Sequence, residues 1–240
     1  MSDASTLATL IDDLVAANRI LAEQGVVDGY GHVSARVPGK TDRYLLSRSL
    51  APAAVTADDI MEYDLDSNPV DQRGRGMYLE RFIHGEIYRK RPDVHAVVHN
   101  HSPSVIPFGI APVPMQAVYH MSGFVAAGIP IYEIRDKDGP ATDMLIRTGP
   151  LGRSLADVLG VKPAALMRGH GAVVVAPSVS LVVARSVYLE MNARLQMQAM
   201  QIAGPGGKVN YLTPDEGVAA VESNDFLRAW DLWRKRALGK

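Results

Sequence analysis

The chain has 240 residues, a formal net charge of −1, 47% apolar and 21% charged residues, and no cysteine. A near-neutral balance argues against a basic stripe for nucleic acid or an anionic membrane, and the missing cysteine excludes disulfides, thiolate ligands and cysteine nucleophiles. No apolar run approaches the roughly 18 residues of a membrane span, and MSDASTLATLIDDLVAANRI lacks a basic leader, so a soluble, cytoplasmic protein is expected, whose partners have to be argued from its sites.

Leu7, Leu10, Ile11, Leu14, Val15 and Leu21 recur at helical spacing before Gly25, which predicts an amphipathic helix over about 5–24. GHVSARV and RYLLS read as strands separated by the turn PGKTD, and IMEYDLD as a third strand closed by SNP. LERFIHGEIYRK reads as a helix that stops before Arg91-Pro92, because the residue ahead of a proline is pushed out of the helical region. VHAVVHN is then a strand, SPSVIPFGI a short helix or turn, GIPIYEI a short strand and LGRSLADVLG a short helix. AALMRGHGAVVVA reads as two strands meeting at a Gly-His-Gly turn, followed by the longest helical pattern, SVSLVVARSVYLEMNARLQMQAMQIA. A helical tail over about 206–240 carries Trp230 and Trp233, three apart on one face and suited to anchor a core or an interface. No repeat or linker divides the chain, so residues 1–240 are expected to form one α/β domain with a mixed or antiparallel sheet. The glycine fingerprints of nucleotide-binding folds are missing.

Three of the seven histidines fall within VHAVVHNH. Alternate strand residues share a face, so His99 and His101 project together and can reach one ion at about 2 Å. A hydrogen-bonded histidine pair at a strand end would read the same way. His95 faces the same side but lies roughly 13 Å from His99 at strand rise, too far to share that ion, and is expected to be structural. His170, between glycines in MRGHGAVVV, is a candidate third ligand, and three imidazoles with an open position suit a catalytic divalent ion. Glu80 opens the helix before the His99 strand, with His84 four residues on. It is either a general acid/base beside that ion or a first-turn carboxylate favoured by the helix dipole.

LERFIHGEIYRKRPDVHAVVHNHSP, followed about seventy residues later by RGHGAVVVAPSVSLVVARSVYLE, resembles the class II aldolase/adducin family. GHVSARV and LLSRSLAPAAVTADDIMEYD upstream extend the resemblance over about residues 5–205. It implies a three-layer α/β/α sandwich around a mainly antiparallel sheet and a homotetramer with active sites at subunit interfaces. It also implies a divalent ion on His99, His101 and His170 with Glu80 as acid/base. Zinc is the expected ion, with manganese, cobalt or iron as alternatives.

Family members that cleave sugar phosphates carry a GNVS-like segment, a TPTG-like loop and a serine pair before the glutamate. This chain has His32 in GHVS, Ser47-Arg48-Ser49-Leu50, and Tyr78-Leu79 before Glu80. Those departures remove most of the phosphate cradle and introduce Arg48, whose guanidinium suits a planar carboxylate. His120 in YHMSGF stands where those aldolases place a proton-donating tyrosine; a one-residue slip would put Tyr119 there. The pattern resembles the family's metal-dependent decarboxylase branch. The expectation is a decarboxylase of a hydroxylated aromatic or ring-cleaved dicarboxylic acid, with Glu80 and His120 catalytic and Arg48, His32, Ser47 and Ser49 binding substrate. The alternatives are an aldolase or epimerase acting on an unphosphorylated hydroxy-carbonyl compound, and an adducin-like binding module without catalysis. Tyr211, in VNYLTP, either closes over a neighbouring subunit's site or is an exposed loop tyrosine.

Overall fold

The computed structural model describes residues 3–239. Among these, seven strands form one sheet: β1 (His32–Arg36), β2 (Arg43–Ser47), β3 (Ile60–Asp64), β4 (Ala96–Asn100), β5 (Ile131–Tyr132), β6 (Ala164–Met167) and β7 (Gly171–Ala176). They lie in the order β3-β2-β1-β4-β7-β6-β5. The β5–β6 pair is parallel and the other pairs are antiparallel. The helices are α1 (Asp3–Glu23), α2 (Phe82–Lys90), α3 (Arg135–Asp138), α4 (Gly149–Leu159), α5 (Val179–Ala203), α6 (Pro214–Glu222) and α7 (Leu227–Ala237).

Every residue of β1, β4 and β7 is buried. Their apolar runs suit strands covered on both faces. One core joins Leu14 and Ile20 of α1, Val182 and Val183 of α5 and Trp230 of α7 to Val33, Val98 and Val174 of the sheet. The other joins Ile83 and Ile87 of α2 and Leu155 of α4 to Leu46, Val97, Val173 and Val175. Adjacent strand residues serve opposite cores, as the period-two pleat requires. The result is the expected α/β/α sandwich around a mainly antiparallel sheet.

Local features refine the sequence reading. The expected helix at 79–90 begins with a 3-10 turn, Leu79–Arg81, so Glu80 stands ahead of α2 rather than within it. His95 precedes β4 and is exposed. The tail contains two helices, and Trp230 and Trp233 are buried, with the Trp233 ring 5.9 Å from that of Tyr188 on α5. They are core anchors, and the tail belongs to the α1/α5 layer. No helix among the described residues is long and apolar enough to cross a membrane.

Candidate metal centre and active-site cavity

The sheet register builds the centre. His32 pairs with His99 across β1 and β4, and His99 with Val173 across β4 and β7. Cross-strand partners share a face, and here it is the one covered by α2 and α4. His101 follows the end of β4, where Glu190 of α5 accepts hydrogen bonds from Ser102 Oγ and the Ser104 N–H and pins the loop. His170 is delivered by the tight β6–β7 connection, closed by its own N–H on Met167 O at 3.0 Å. Gly169 takes a left-handed φ of +63°, and a Cβ on Gly171 would lie 1.9 Å from Asn100 O. Those two conditions explain why glycine brackets the histidine.

The Nε2 atoms converge. His99 and His101 are 3.2 Å apart, His101 and His170 3.0 Å, and Glu80 Oε2 lies 3.4 Å from both His99 and His170. His99 Nδ1 donates to Ala172 O at 3.2 Å and His170 Nδ1 to Met144 O at 2.9 Å. Glu80 Oε1 accepts from the Ile146 N–H at 2.9 Å. Segment 143–147 thus supplies two backbone groups to the centre, and Met144 takes a left-handed φ of +67° to do so.

This donor set fits a divalent cation. With Nδ1 donating to a carbonyl, a neutral imidazole turns its Nε2 lone pair inward. Lone pairs crowded beside a carboxylate oxygen are compensated by a cation between them. Burial would raise the Glu80 carboxyl, but the charge and hydrogen bonds of His99 and His170 outweigh it and hold it well below the usual carboxylate range. Burial, then His99 and His170, push His101 down to about 4. Burial also opposes charge on His170, yet the bond and charge of Glu80 prevail and raise it.

A cavity of about 440 Å³ opens onto Glu80, His99 and His101, with His32, Ser49, Leu50, Tyr30, Tyr78, Leu79 and Leu145 among its walls. The His32 ring lies 4.5 Å from Tyr78 and 5.1 Å from His99. Its Nδ1 is 2.6 Å from His84 Nε2, His84 Nδ1 is 2.6 Å from Ser34 Oγ, and Ser34 Oγ is 2.8 Å from the Tyr88 hydroxyl. Burial, with His99, pushes His84 down to about 3; burial, with His84 and His99, carries His32 well below its ordinary value.

Of the other expected site residues, Ser49 lines the cavity and Arg48, Ser47 and His120 do not. Arg48 donates from Nε to Asp59 Oδ1 at 2.6 Å and does not line the cavity; the carboxylate it meets is internal. Asp59, brought near by the hydrogen-bonded turn at Thr56, thus takes the Nε–H of the guanidinium. Ser47 is buried, with its Oγ 3.2 Å from the Tyr78 hydroxyl, and does not line the cavity. Ser49 does line it. His120 is exposed and also lies outside the cavity lining. Its segment is tied to α5 through Asn192 Oδ1, which accepts from the Val118 N–H and Ser122 Oγ. Tyr211 is half-buried beside Leu212, whose N–H donates to Ala117 O. Sequence reasoning missed the Tyr30 and Tyr78 walls and the backbone of 143–147. Tyr78 was signalled only by its place two residues before Glu80.

Comparison with known proteins gives the chain's relatives. Residues 12–197 match the model of the class II aldolase and adducin N-terminal domain. The chain is 34% identical to the decarboxylase tropJ of Talaromyces stipitatus over 91% of this chain and 90% of that protein. It is 31% identical to a 3,4-dihydroxyphthalate decarboxylase of Arthrobacter keyseri over 87% and 84%. An L-fuculose 1-phosphate aldolase from Glaciozyma antarctica superposes with a TM-score of 0.77 at 21% identity, over 98% of this chain and 89% of that one. With its three histidines and a glutamate converging at the strand ends and this match along most of its length, the chain belongs to the class II aldolase/adducin family.

Proposed function

We propose that this chain is a divalent-metal-dependent decarboxylase of a hydroxylated aromatic or ring-cleaved dicarboxylic acid. The observation that carries the proposal is the cavity wall: beside the three histidines and Glu80 stand Tyr30, Tyr78, Leu50, Leu79 and Leu145, with no lysine or arginine among the described lining residues. Such walls suit a flat, largely apolar ring and offer a phosphate no cationic partner. The relatives named as decarboxylases of tropJ and 3,4-dihydroxyphthalate type support the same reading.

His99, His101 and His170 would hold the ion, with zinc the first to test for a tri-histidine site with an open position. Such an ion supplies Lewis acidity toward neighbouring hydroxyl and carboxylate oxygens. Glu80, ionised and held by the Ile146 N–H, takes the proton of the substrate hydroxyl and returns it to the carbon that loses its carboxylate. The electron pair of the broken carbon–carbon bond passes into the conjugated system as CO2 departs, and solvent supplies the proton that restores the product hydroxyl. His32 and Ser49 bind a carboxylate from the wall. His120, exposed on its own chain, serves a neighbouring copy's cavity in the homotetramer that the family resemblance implies.

The test is to incubate zinc-loaded protein with 3,4-dihydroxyphthalate, related hydroxybenzoic acids and unphosphorylated hydroxy-carbonyl compounds, measuring CO2 and aldehyde in parallel. CO2 without aldehyde is expected, and Glu80→Gln should lower its rate by at least about a hundredfold. Aldehyde without CO2 would overturn the proposal in favour of an aldolase.

A further inference from the structure

The hydrogen-bond chain behind His32 has a direction. Each of its links, Tyr88 to Ser34, Ser34 to His84 and His84 to His32, needs one proton. In one arrangement the Tyr88 hydroxyl donates to Ser34 Oγ, Ser34 donates to His84 Nδ1, and His84 Nε2–H donates to His32 Nδ1. In the reverse arrangement His32 Nδ1–H donates inward, His84 Nδ1–H donates to Ser34, and Ser34 donates to Tyr88. The reverse strands the Tyr88 phenol proton, because Ser34 is the hydroxyl's hydrogen-bonding partner and is then itself the donor. Tyr88 is 2% exposed, so water does not take that proton. An unused buried donor is expensive, whereas a spare oxygen lone pair is tolerated. Burial pushes the Tyr88 phenol up, so it keeps its proton, while the Val97 backbone acts in the opposite sense, as a donor to the oxygen does. The forward arrangement uses every proton.

We propose that Tyr88, Ser34 and His84 are positioning residues that hold His32 as the Nε2–H tautomer, so that a neutral histidine presents a hydrogen-bond donor to a substrate carboxylate in the cavity. The carboxylate part rests on the decarboxylase reading; the tautomer does not. His32 lines the cavity with Nδ1 committed to His84. Nε2 is thus the nitrogen left to meet a ligand. A cationic side chain would also bind a carboxylate, but its charge would repel a cation held beside the neighbouring His99 ring. A neutral donor recognises the anion without adding positive charge beside His99, 5.1 Å away ring to ring.

Two measurements test the proposal. Long-range proton–nitrogen correlation spectra of the zinc-loaded protein with labelled histidine, assigned through His32→Gln, read the tautomer directly. The expected result is a protonated Nε2 and a bare Nδ1 on His32 at neutral pH, and a bare Nε2 overturns the proposal whatever the enzyme's activity. Ser34→Ala removes the donor to His84 and frees that ring to reverse, which turns His32 Nε2 toward an acceptor. It should raise KM for hydroxybenzoic and phthalic acids about tenfold, the effect of losing one charge-assisted hydrogen bond, with bound zinc unchanged. Ser34→Thr, which keeps the hydroxyl, should restore both KM and tautomer. A Ser34→Ala spectrum with the wild-type tautomer and an unchanged KM would remove Ser34 from the role. If the spectra show Nε2–H but no acid binds, the tautomer stands and the decarboxylase reading fails.

Discussion

Three imidazole nitrogens facing one another beside a carboxylate repel unless a positive charge lies among them. That requirement gives each neighbouring residue its task. Ala172 O and Met144 O take the Nδ1 protons of His99 and His170, and the Ile146 N–H steadies Glu80. The glycines around His170 act through space rather than chemistry. A methyl group on Gly171 would occupy the place of Asn100 O, so β7 could not lie against β4 where it does. Gly171→Ala should lower stability by more than about 2 kcal/mol and weaken metal binding, read by denaturant unfolding and by metal content after dialysis. Unchanged values for both would show that the strand pair yields more easily than its geometry implies.

At the scale of elements, the centre is made by a strand end (His99, His101), a hairpin (His170) and a 3-10 turn (Glu80) clamped to a rigid sheet. The H-x-H spacing and the Gly-His-Gly turn were legible because strand alternation and tight turns translate directly into direction. The partners of those residues were not legible. Every residue carries a backbone carbonyl and amide, so nothing in Met144 or Ile146 marks them as the groups that orient His170 and Glu80. Arg48 looks free in the sequence until the turn at Thr56 brings Asp59 to it. Helix α6 had a local signal: Thr213 and Glu216 cap each other reciprocally, with Pro214 at the first helical position. The two tryptophans of α7 are buried in the core shared with α1 and α5, apart from the candidate metal centre. Trp233→Ala should cost about 3 kcal/mol in denaturant unfolding while leaving zinc content intact. Loss of zinc at full stability would place α7 in the metal site instead.

For the whole molecule, an α/β domain with a mixed or antiparallel sheet was legible from the alternation of helical and strand patterns, the three-layer arrangement was implied only by the family resemblance, and the sheet order came with the structure. The sandwich keeps β1, β4 and β7 buried on both faces, so the groups projecting from their ends are held by the stiffest part of the fold. The candidate metal centre and its cavity lie at the rim of that slab, and the wall residue His32 is braced from behind by buried hydroxyls and His84. Coupling of metal to loss of CO2 is the central expectation for this molecule. The most direct measurement follows labelled CO2 from carboxyl-labelled 3,4-dihydroxyphthalate with native protein, with protein stripped by chelator, and with stripped protein reloaded with zinc. CO2 release by the native protein, its loss on stripping and its return on reloading are expected, with His99→Ala inactive throughout. Release that persists at full rate in stripped protein, or in His99→Ala, would contradict the metal-centred account.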